Sequence, residues 1–468
     1  MTLTTRRTCS IGSIPVVTNY RLHEAGILWH AASLVAITFY ATTLLAEEDT
    51  PVEQTIAKIE LLGGKIVRDS QQPGRPVIEV DFQNNAKLRD SYLRLLKNFP
   101  SLTRLDLFGT VITDEGLKEV SELKNLVSLN LWNTQISNQG LKELIRLPKL
   151  SDLNLTGTTI DDQGIEVLTQ IPSLSSLQLN GVQATGACIK TLSKLVDLTF
   201  LDVSGLPITD ESLQDLNGFQ HLTQLHLAST QITNNSVPHL QRLNRLTILN
   251  VSSTAIDDAG LSELGKLKNL TTVNLSNNNI TDTGLGQLNA LTKLSTLALG
   301  STHVTDAGLS DLRDLQELTF LYLYNTQVTD AGLREICRHP KMVRLGLNKT
   351  QITDEGLSSL TELAQLSELS IGSTRITNEG LKTIGQLHRL TELWINSTSI
   401  TDEGLKQISH LPELSAVVAS RTAITDEGLH ELAKLKKLTL LNVGQTPNIS
   451  HAALDELRES RPELKIHR

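Results

Sequence analysis

Cysteines, aromatic residues and surplus positive charge are all scarce in this chain. It has three cysteines among 468 residues, so the fold does not depend on a framework of disulfides. Phe, Trp and Tyr together make up 3% of the residues, which leaves aliphatic side chains to fill the core. The net charge of −9 argues against nucleic-acid binding, because domains that bind nucleic acid carry clustered Lys and Arg.

Long hydrophobic runs are also absent, with one exception at residues 26–46. Arg6, Arg7 and Arg21 precede this run and three acidic residues follow it. That charge asymmetry predicts an extracytoplasmic location for everything after Ala46. The run is longer than the core of a usual signal peptide and long enough to span a membrane. A cleaved signal, with a secreted product, and an uncleaved membrane anchor are therefore alternatives, and a buried core helix is a third.

The remainder of the chain is dominated by one pattern, L-x-x-L-x-L-x-x-T-x-I-T-D-x-G-L, which recurs fifteen times at a spacing of 24 residues. A period of this length indicates stacked supersecondary units, none of which can bury its apolar face alone. Within a unit the leucines alternate as in a strand, and the apolar positions after T-D follow helical spacing. The pattern predicts an α/β solenoid with a parallel sheet on one side and short helices on the other.

Three further expectations follow from this repeat. The Thr or Asp that precedes each helical segment, Thr113 or Asp114 in the first unit, is expected to cap the helix. The Thr at the marker position, Thr110 in the first unit, is expected to contribute to a ladder of hydroxyl groups that bond loop backbone. Cys188 and Cys337 lie six units apart, roughly 30 Å at one strand spacing per unit, which is beyond disulfide reach.

On these motifs the chain resembles the leucine-rich-repeat proteins, over about residues 77–468. The I-T-D-x-G-L segment resembles the ribonuclease-inhibitor-like and F-box-associated repeats and those of exported bacterial proteins. The resemblance implies a horseshoe with a concave parallel sheet and helices on the convex side. Thr stands at the marker position, where the family usually has Asn or Cys.

Four segments are predicted along the chain: a signal peptide or anchor at 1–46, an N-terminal cap with a degenerate first repeat at 47–84, the solenoid at 85–446 and a C-terminal cap at 447–468. The N-terminal cap is expected to contain a helix at 52–62, a turn at Gly63 and Gly64, a strand at 65–67 and a first repeat strand that includes Val77, Val80 and Phe82. At the other end, Asn448 is expected to shift the repeat register, and Arg461 and Pro462 to protect the edge of the sheet.

Three consecutive units depart from the pattern. The glycine at the helix start is replaced by Cys188, Ser212 and Ser236, and Val182 and Leu206 replace the marker Thr. Neutral drift in a modular array is one explanation. A local change of curvature is the other, and it predicts a different rotation between strands near residues 182–240.

Side chains between the buried leucines are expected to line the concave face. Their middle column is polar in the first eight units and small or aromatic in most of the later ones, so the face has two chemically distinct halves. Seven of the eight aromatic residues after Ser101 fall at outward strand positions. Strand propensity is one explanation for this distribution, and an interface is the other.

We predict a ligand-binding patch where these aromatic residues are densest. The patch consists of Phe320, Tyr322, Tyr324, Arg344, Asn348, Lys349, Arg375, Trp394 and Arg421. Exposed Tyr, Trp and Arg are the residue types that contribute most to protein interfaces.

Catalysis and metal binding are not expected. Asp202, His226 and Ser252 fall on successive strands and could imitate an acid–base–nucleophile relay, but regular strands supply no oxyanion hole and no water-excluding cleft. We interpret them as solvated polar side chains, and no cofactor is indicated.

The sequence thus predicts a non-catalytic, exported recognition scaffold that binds a protein partner through its concave sheet, without nucleic acid and with membrane contact only through the N-terminal segment. A glycan-binding or cell-wall-binding surface protein is an alternative, and a purely structural envelope protein is another.

Overall fold

The computed structural model describes residues 51–468, so the leader at 26–46 lies outside the described residues. The packing separates the chain into Met1–Ala57 and Lys58–Arg468. Of the first unit the structure describes only residues 51–57, which begin helix α1. Among the described residues, no helix has the length and hydrophobicity needed to cross a membrane.

The second unit is a solenoid built on one sheet. Strands β2 to β18 pair in parallel and in chain order, and β1 pairs antiparallel with β2. In chain order the strands β1 to β18 are Lys65–Arg68, Val77–Asp81, Arg104–Asp106, Ser128–Asn130, Asp152–Asn154, Ser176–Gln178, Phe200–Asp202, Gln224–His226, Ile248–Asn250, Thr272–Asn274, Thr296–Ala298, Phe320–Tyr322, Arg344–Gly346, Glu368–Ser370, Glu392–Trp394, Ala416–Val418, Leu440–Asn442 and Lys465–His467.

Short helices alternate with these strands. The α-helices α1 to α15 are Pro51–Leu61, Asp114–Val120, Asn138–Leu144, Asp162–Leu168, Cys188–Leu192, Val237–Leu240, Asp258–Leu264, Asp282–Leu285, Asp306–Leu309, Asp330–Ile336, Asp354–Leu357, Asn378–Ile384, Asp402–Lys406, Asp426–Ala433 and His451–Ser460. Segments of 3-10 helix occupy Asp90–Asn98, Glu211–Gly218, Asn234–Ser236, Gly286–Ala290, Ser310–Asp314 and Ser358–Glu362. The predicted alternation of a parallel sheet with short helices is confirmed, apart from the antiparallel first pair.

The core is the stack of aliphatic residues that the repeat pattern places inside. In the first full unit Leu105, Leu107, Ile112, Leu117 and Val120 are each at most 2% exposed. The equivalent residues of later units are equally buried, so each unit covers the apolar face of its neighbour. Burial of one such side chain contributes about 1.5–3 kcal/mol, and the repetition makes the core continuous.

A ladder of carboxylates joins the starts of neighbouring helices. The Asp114 carboxylate accepts hydrogen bonds from the N–H (2.8 Å) and the hydroxyl (2.6 Å) of Ser137, which caps the next helix. Asp354 does the same for Thr377, again at 2.8 and 2.6 Å. The expected caps are present as well, since the Thr113 hydroxyl accepts from the N–H of Glu115. The T-D dipeptide therefore caps its own helix through Thr and fixes the position of the next repeat through Asp.

The same carboxylate explains why the T-D-x-G motif has glycine, and not a larger residue, at its last position. A Cβ atom on Gly380 would lie 2.5 Å from the Asp354 Oδ1 and 2.8 Å from a methyl of Leu357. A side chain at this position of a regular unit would therefore overlap the preceding carboxylate. Where Cys188 and Ser236 replace the glycine although the preceding aspartate is present, the α-helix starts later or is preceded by a 3-10 segment.

The irregular units contain a compensating exchange. Gly186 stands at the aspartate position, and Ser212 stands at the glycine position of the following unit. The Ser212 hydroxyl occupies the space beside Gly186 and accepts the N–H of Thr209, at 3.2 Å. In that unit an α-helix is replaced by the 3-10 segment Glu211–Gly218, while β6 to β9 remain in register. The predicted difference in strand rotation stays a prediction.

Hydroxyl groups form two series along the array. Most marker threonines bond loop backbone as expected, but within their own unit, as when Thr110 donates to the Leu107 carbonyl at 2.7 Å. Asn278 instead bridges two units, since its Oδ1 accepts the N–H of Thr254 and its Nδ2 donates to the Val251 carbonyl. A second series, absent from our expectations, runs just before the strands, where Thr319 donates to the Ser295 carbonyl.

The ends of the solenoid differ from the repeats. The expected N-terminal helix and strand are present as α1 and β1. Near the C-terminus, the Asp426 carboxylate bonds the N–H of Ser450 across 24 residues instead of the usual 23, which confirms the expected shift of register near Asn448. The Arg461 guanidinium donates to the carbonyls of Leu435 and Leu438, and β18 then adds a strand that the sequence did not predict.

Two cysteines and a histidine are buried among the aliphatic residues. Cys188 and Cys337 are free thiols, and burial raises the pKa of each to about 12. His339 is 2% exposed at a position that Leu occupies in the flanking units, and its Nδ1 has no hydrogen-bond partner. Burial lowers the pKa of His339, although a backbone contact with Leu315 opposes the shift.

We expect Gly380→Ala to destabilise the chain by about 1–3 kcal/mol, because the new methyl group overlaps the Asp354 carboxylate. Gly286→Ala is the matched control, since its nearest neighbour would be 3.6 Å away and alanine favours a helix. Denaturant unfolding followed by circular dichroism measures both variants. Equal stability of the two variants would contradict the steric explanation.

We expect His339→Leu to stabilise the chain more at pH 5.5 than at pH 8. The folded state holds His339 neutral, so its contribution is fully present above the ordinary pKa of 6.5 and is lost as the pH falls below it, where the unfolded chain binds a proton. The leucine also removes a buried unpaired nitrogen, which costs about 1–3 kcal/mol. Thermal unfolding across this pH range checks the expectation, with the exposed His388→Leu as control. An unchanged pH dependence in His339→Leu would exclude this role.

Candidate functional site

The open face of the sheet presents the first, third and fifth residues of each strand segment. In β12 the middle residue Leu321 is buried, while Phe320 and Tyr322 are half-buried and face outward. The register places Tyr322 beside Ala298 on one side and Gly346 on the other, and Trp394 between Ser370 and Val418. Tyr322, Tyr324 and Trp394 thus occupy partly exposed positions outside the core.

Two of the aromatic rings lie across glycines of neighbouring strand segments. A Cβ atom on Gly346 would be 3.0 Å from the Tyr322 ring, and one on Gly300 would overlap the Tyr324 ring. The rings therefore lie against the sheet in opposite directions, Tyr322 toward the following unit and Tyr324 toward the preceding one. This packing holds both side chains in place and leaves an outer face of each partly exposed.

Arg344 contacts two other residues of the predicted patch, Phe320 and Tyr322. Its guanidinium carbon lies 5.4 Å from the centre of the Phe320 ring, within cation–π range, and Nη1 donates to the Tyr322 hydroxyl at 3.3 Å. Its Nε forms an ion pair with Glu368 on the next strand. The Glu368 carboxylate is the main cause of the raised pKa of Arg344. The structure therefore brings Phe320, Tyr322 and Arg344 together.

The other predicted residues are more dispersed. Asn348 donates to the Ser370 hydroxyl at 3.0 Å and accepts the N–H of Gly372 at 2.7 Å, so both ends of its amide are in use. Trp394 lies three strands from Tyr322, about 14 Å at one strand spacing per unit.

The three remaining cations lie on the turn side of the strands. Lys349 and Arg421 occupy turn positions with φ of +56°, and Arg421 donates to the Gln445 side chain at 2.6 Å. Arg375 follows the turn and pairs with Thr353 in an isolated bridge, beyond the strand itself. The patch is therefore aromatic in its centre and basic along the turn side.

Sequence reasoning missed two acidic residues of this face, Glu368 and Glu392. Both stand at the first position of their strands, β14 and β15, and are adjacent in register. Alignment of the repeats places them in one column with Arg344, and that column is the signal that could have revealed them.

The two halves of the open face differ in whether a side chain accepts a hydrogen bond from the backbone N–H groups that follow the strand. In most early units an Asp or Asn in the middle column accepts the backbone N–H two residues later, as Asn154 does for Thr156 (2.9 Å) and Asn274 for Ser276 (3.0 Å). The later column offers no such acceptor at Ala298, Tyr322 and Val418. The early polar residues are thus partly structural, whereas the later half leaves its surface to aromatic and small side chains.

The residues that could imitate a catalytic relay do not form one. The Ser252 hydroxyl donates to the Asn250 side chain at 2.8 Å, and Asp202 accepts the N–H of Ser204. The His226 ring packs against Phe200, with centroids 5.2 Å apart, and burial lowers the pKa of His226 while Asp202 opposes that shift. Within residues 51–468 there is no cluster of side chains suited to a metal ion.

Comparisons with known proteins agree with this repeat architecture. A leucine-rich-repeat family model matches residues 100–121, 146–168, 238–265 and 266–288. Together with the strand–helix unit of 24 residues, these matches identify the repeats of the chain as leucine-rich repeats. No curated protein matches it.

Several solved structures are similar to the chain. An internalin from Listeria monocytogenes shares 22% identity over 78% of this chain and 96% of its own, with a TM-score of 0.43. A leucine-rich-repeat protein from Leptospira interrogans shares 21% identity over 80% of each chain, with a TM-score of 0.41. A plant peptide hormone receptor, solved in complex with the hormone RGF2, shares 15% identity over 83% of this chain and 79% of its own, with a TM-score of 0.39.

We expect Arg344→Met to lower the stability at pH 7 by about 1 kcal/mol, because it removes a partly exposed ion pair and leaves Glu368 beside Glu392 without a cation. The loss should shrink at pH 4, because burial and the neighbouring Glu368 charge raise the pKa of Glu392, and protonation of Glu392 relieves the repulsion between the two carboxylates. Arg104→Met is the control, since Arg104 stands in the same column with a longer, more exposed pair to Glu79 at 3.6 Å. Chemical unfolding at both pH values measures the effect, and a loss of equal size at pH 4 and pH 7 would argue against it.

Proposed function

We propose that this chain is a non-catalytic scaffold that binds a protein partner through the open, concave face of its sheet between β11 and β16. The observation that carries the proposal is the placement of Tyr322, Tyr324 and Trp394, which are partly exposed on a regular face while the core beneath them is built mainly from aliphatic side chains. Aromatic side chains that are held in place but not buried lose little conformational freedom on binding.

The surroundings of the aromatic residues support this choice of surface. Arg344 holds Tyr322 in place, and glycines lie beneath Tyr322 and Tyr324, so the rings are preorganised. Cations lie along the turn side at Lys349 and Arg421. A central group of aromatic residues with charged residues around it is the usual composition of a protein interface.

We also propose that the solenoid acts outside the cytoplasm. The support is the hydrophobic run at residues 26–46 with basic residues before it and acidic residues after it. In this proposal the run serves either as a signal peptide that is removed or as a membrane anchor.

The central test is the triple variant Tyr322→Ala, Tyr324→Ala and Trp394→Ala in the full-length chain. Proteins captured from the native envelope by crosslinking are compared between the original chain and the variant by quantitative mass spectrometry. We expect at least one protein to be captured about tenfold less by the variant, since loss of a central aromatic residue typically costs more than 1 kcal/mol of binding energy.

The matched control is Trp132→Ala, which removes an exposed aromatic residue of the same face, on the unit that contains β4 and outside the patch. It should capture the same proteins as the original chain. Equal capture by the triple variant, with an unchanged circular dichroism spectrum, would refute this function. Retention on insoluble cell-wall polysaccharide that depends on Trp394 would favour a glycan ligand instead.

A further inference from the structure

Glu392 is a half-buried carboxylate on the open face that has no cation of its own. It stands at the first position of β15, in register with Glu368 on one side and Ala416 on the other. Among the described residues, Glu392 forms no ion pair within 4.0 Å.

The cation whose charge acts on Glu392, Arg344, is already engaged by other groups. Arg344 pairs with Glu368, donates to the Tyr322 hydroxyl and lies over the Phe320 ring. The guanidinium is therefore paired with Glu368, and the negative charge of Glu392 is left without an ion pair. Burial raises the pKa of Glu392, the Glu368 charge raises it further, and Arg344 opposes both effects.

Trp394 is the aromatic neighbour of Glu392 on the open face. It lies two residues after Glu392 on the same strand and the same face, and it is half-buried. In register it has Ser370 and Val418 as neighbours, which are both smaller than its indole ring. A carboxylate beside an accessible indole face provides charge pairing and a cation–π contact to the same cation.

We propose that Glu392 and Trp394 receive an arginine side chain from the protein partner. Arginine fits best because its planar guanidinium can stack on the indole while its N–H groups bond the carboxylate. This inference rests on the proposed binding function of the open face and names the chemistry of the partner at one point of it.

The charges across the patch also favour one orientation of the partner on the open face. Glu368 and Glu392 lie where the strands begin, whereas Lys349 and Arg421 lie at the turns where the chain leaves the sheet. A basic group is repelled from the turn side and attracted to the strand-start side. The partner's arginine is thus directed to Glu392.

The test uses a displayed library of random peptides of about twelve residues, selected on the full-length chain and on two variants. Glu392→Gln keeps the size of the side chain and removes its charge. Asp152→Asn is the matched control, because Asp152 stands in the same column but already accepts the hydroxyls of Ser128 and Ser176. We expect arginine-containing peptides to be enriched on the original chain and on Asp152→Asn. Their affinity for Glu392→Gln should fall about tenfold.

The outcomes separate the two proposals. Enriched peptides that depend on Tyr322 and Trp394 but lack a basic residue, or that bind Glu392→Gln equally well, would overturn the arginine site and leave the binding function standing. If no peptide is enriched in a manner that depends on the aromatic patch, both proposals fail. Replacement of arginine by lysine in an enriched peptide should weaken binding several-fold, since an ammonium group has no planar face to lie on the indole and no forked pair of donors for the carboxylate.

Discussion

The aspartate, or in some units asparagine, at the start of most helices is the residue on which the regularity of this solenoid depends. Its carboxylate bonds the backbone and the hydroxyl of the next cap, as Asp354 does for Thr377, and it fills the space that a side chain on Gly380 would need. Hydrophobic burial holds the units together but is not directional, so it cannot by itself fix their relative position. Hydrogen bonds of defined length supply that position in most units.

The exchange at Gly186 and Ser212 shows that another side chain supplies the hydrogen bond and fills the space where the aspartate is absent. Where the aspartate is missing, the hydroxyl of Ser212 accepts the Thr209 N–H in its place and occupies the vacated space. The strands of these units remain in register although the helix becomes a 3-10 segment. The helical side of the solenoid therefore varies while the sheet does not, and the sheet is the surface on which a site can be built.

A constant sheet gives each outward position a fixed set of neighbours, and the composition of those positions then decides what the face can bind. In the early units, residues such as Asn154 serve the backbone of their own strand. In the later units the same column holds Tyr322 and Trp394, and the charges of Arg344, Glu368 and Glu392 collect beside them. The polar column thus serves the backbone at one end of the face, whereas aromatic and charged side chains occupy the other end.

The period of 24 residues and the alternation of leucines determined the fold from the sequence alone, because one buried pattern repeated fifteen times admits one way to stack. The outward position of Tyr322 and Trp394 followed from the same alternation, since side chains along a strand point to opposite faces. The packing of Tyr324 on Gly300 and the engagement of Arg344 by Glu368 were decided only by the tertiary structure. These contacts join residues about 24 positions apart, and their geometry depends on side-chain directions between units, which the order of residues within one unit does not specify.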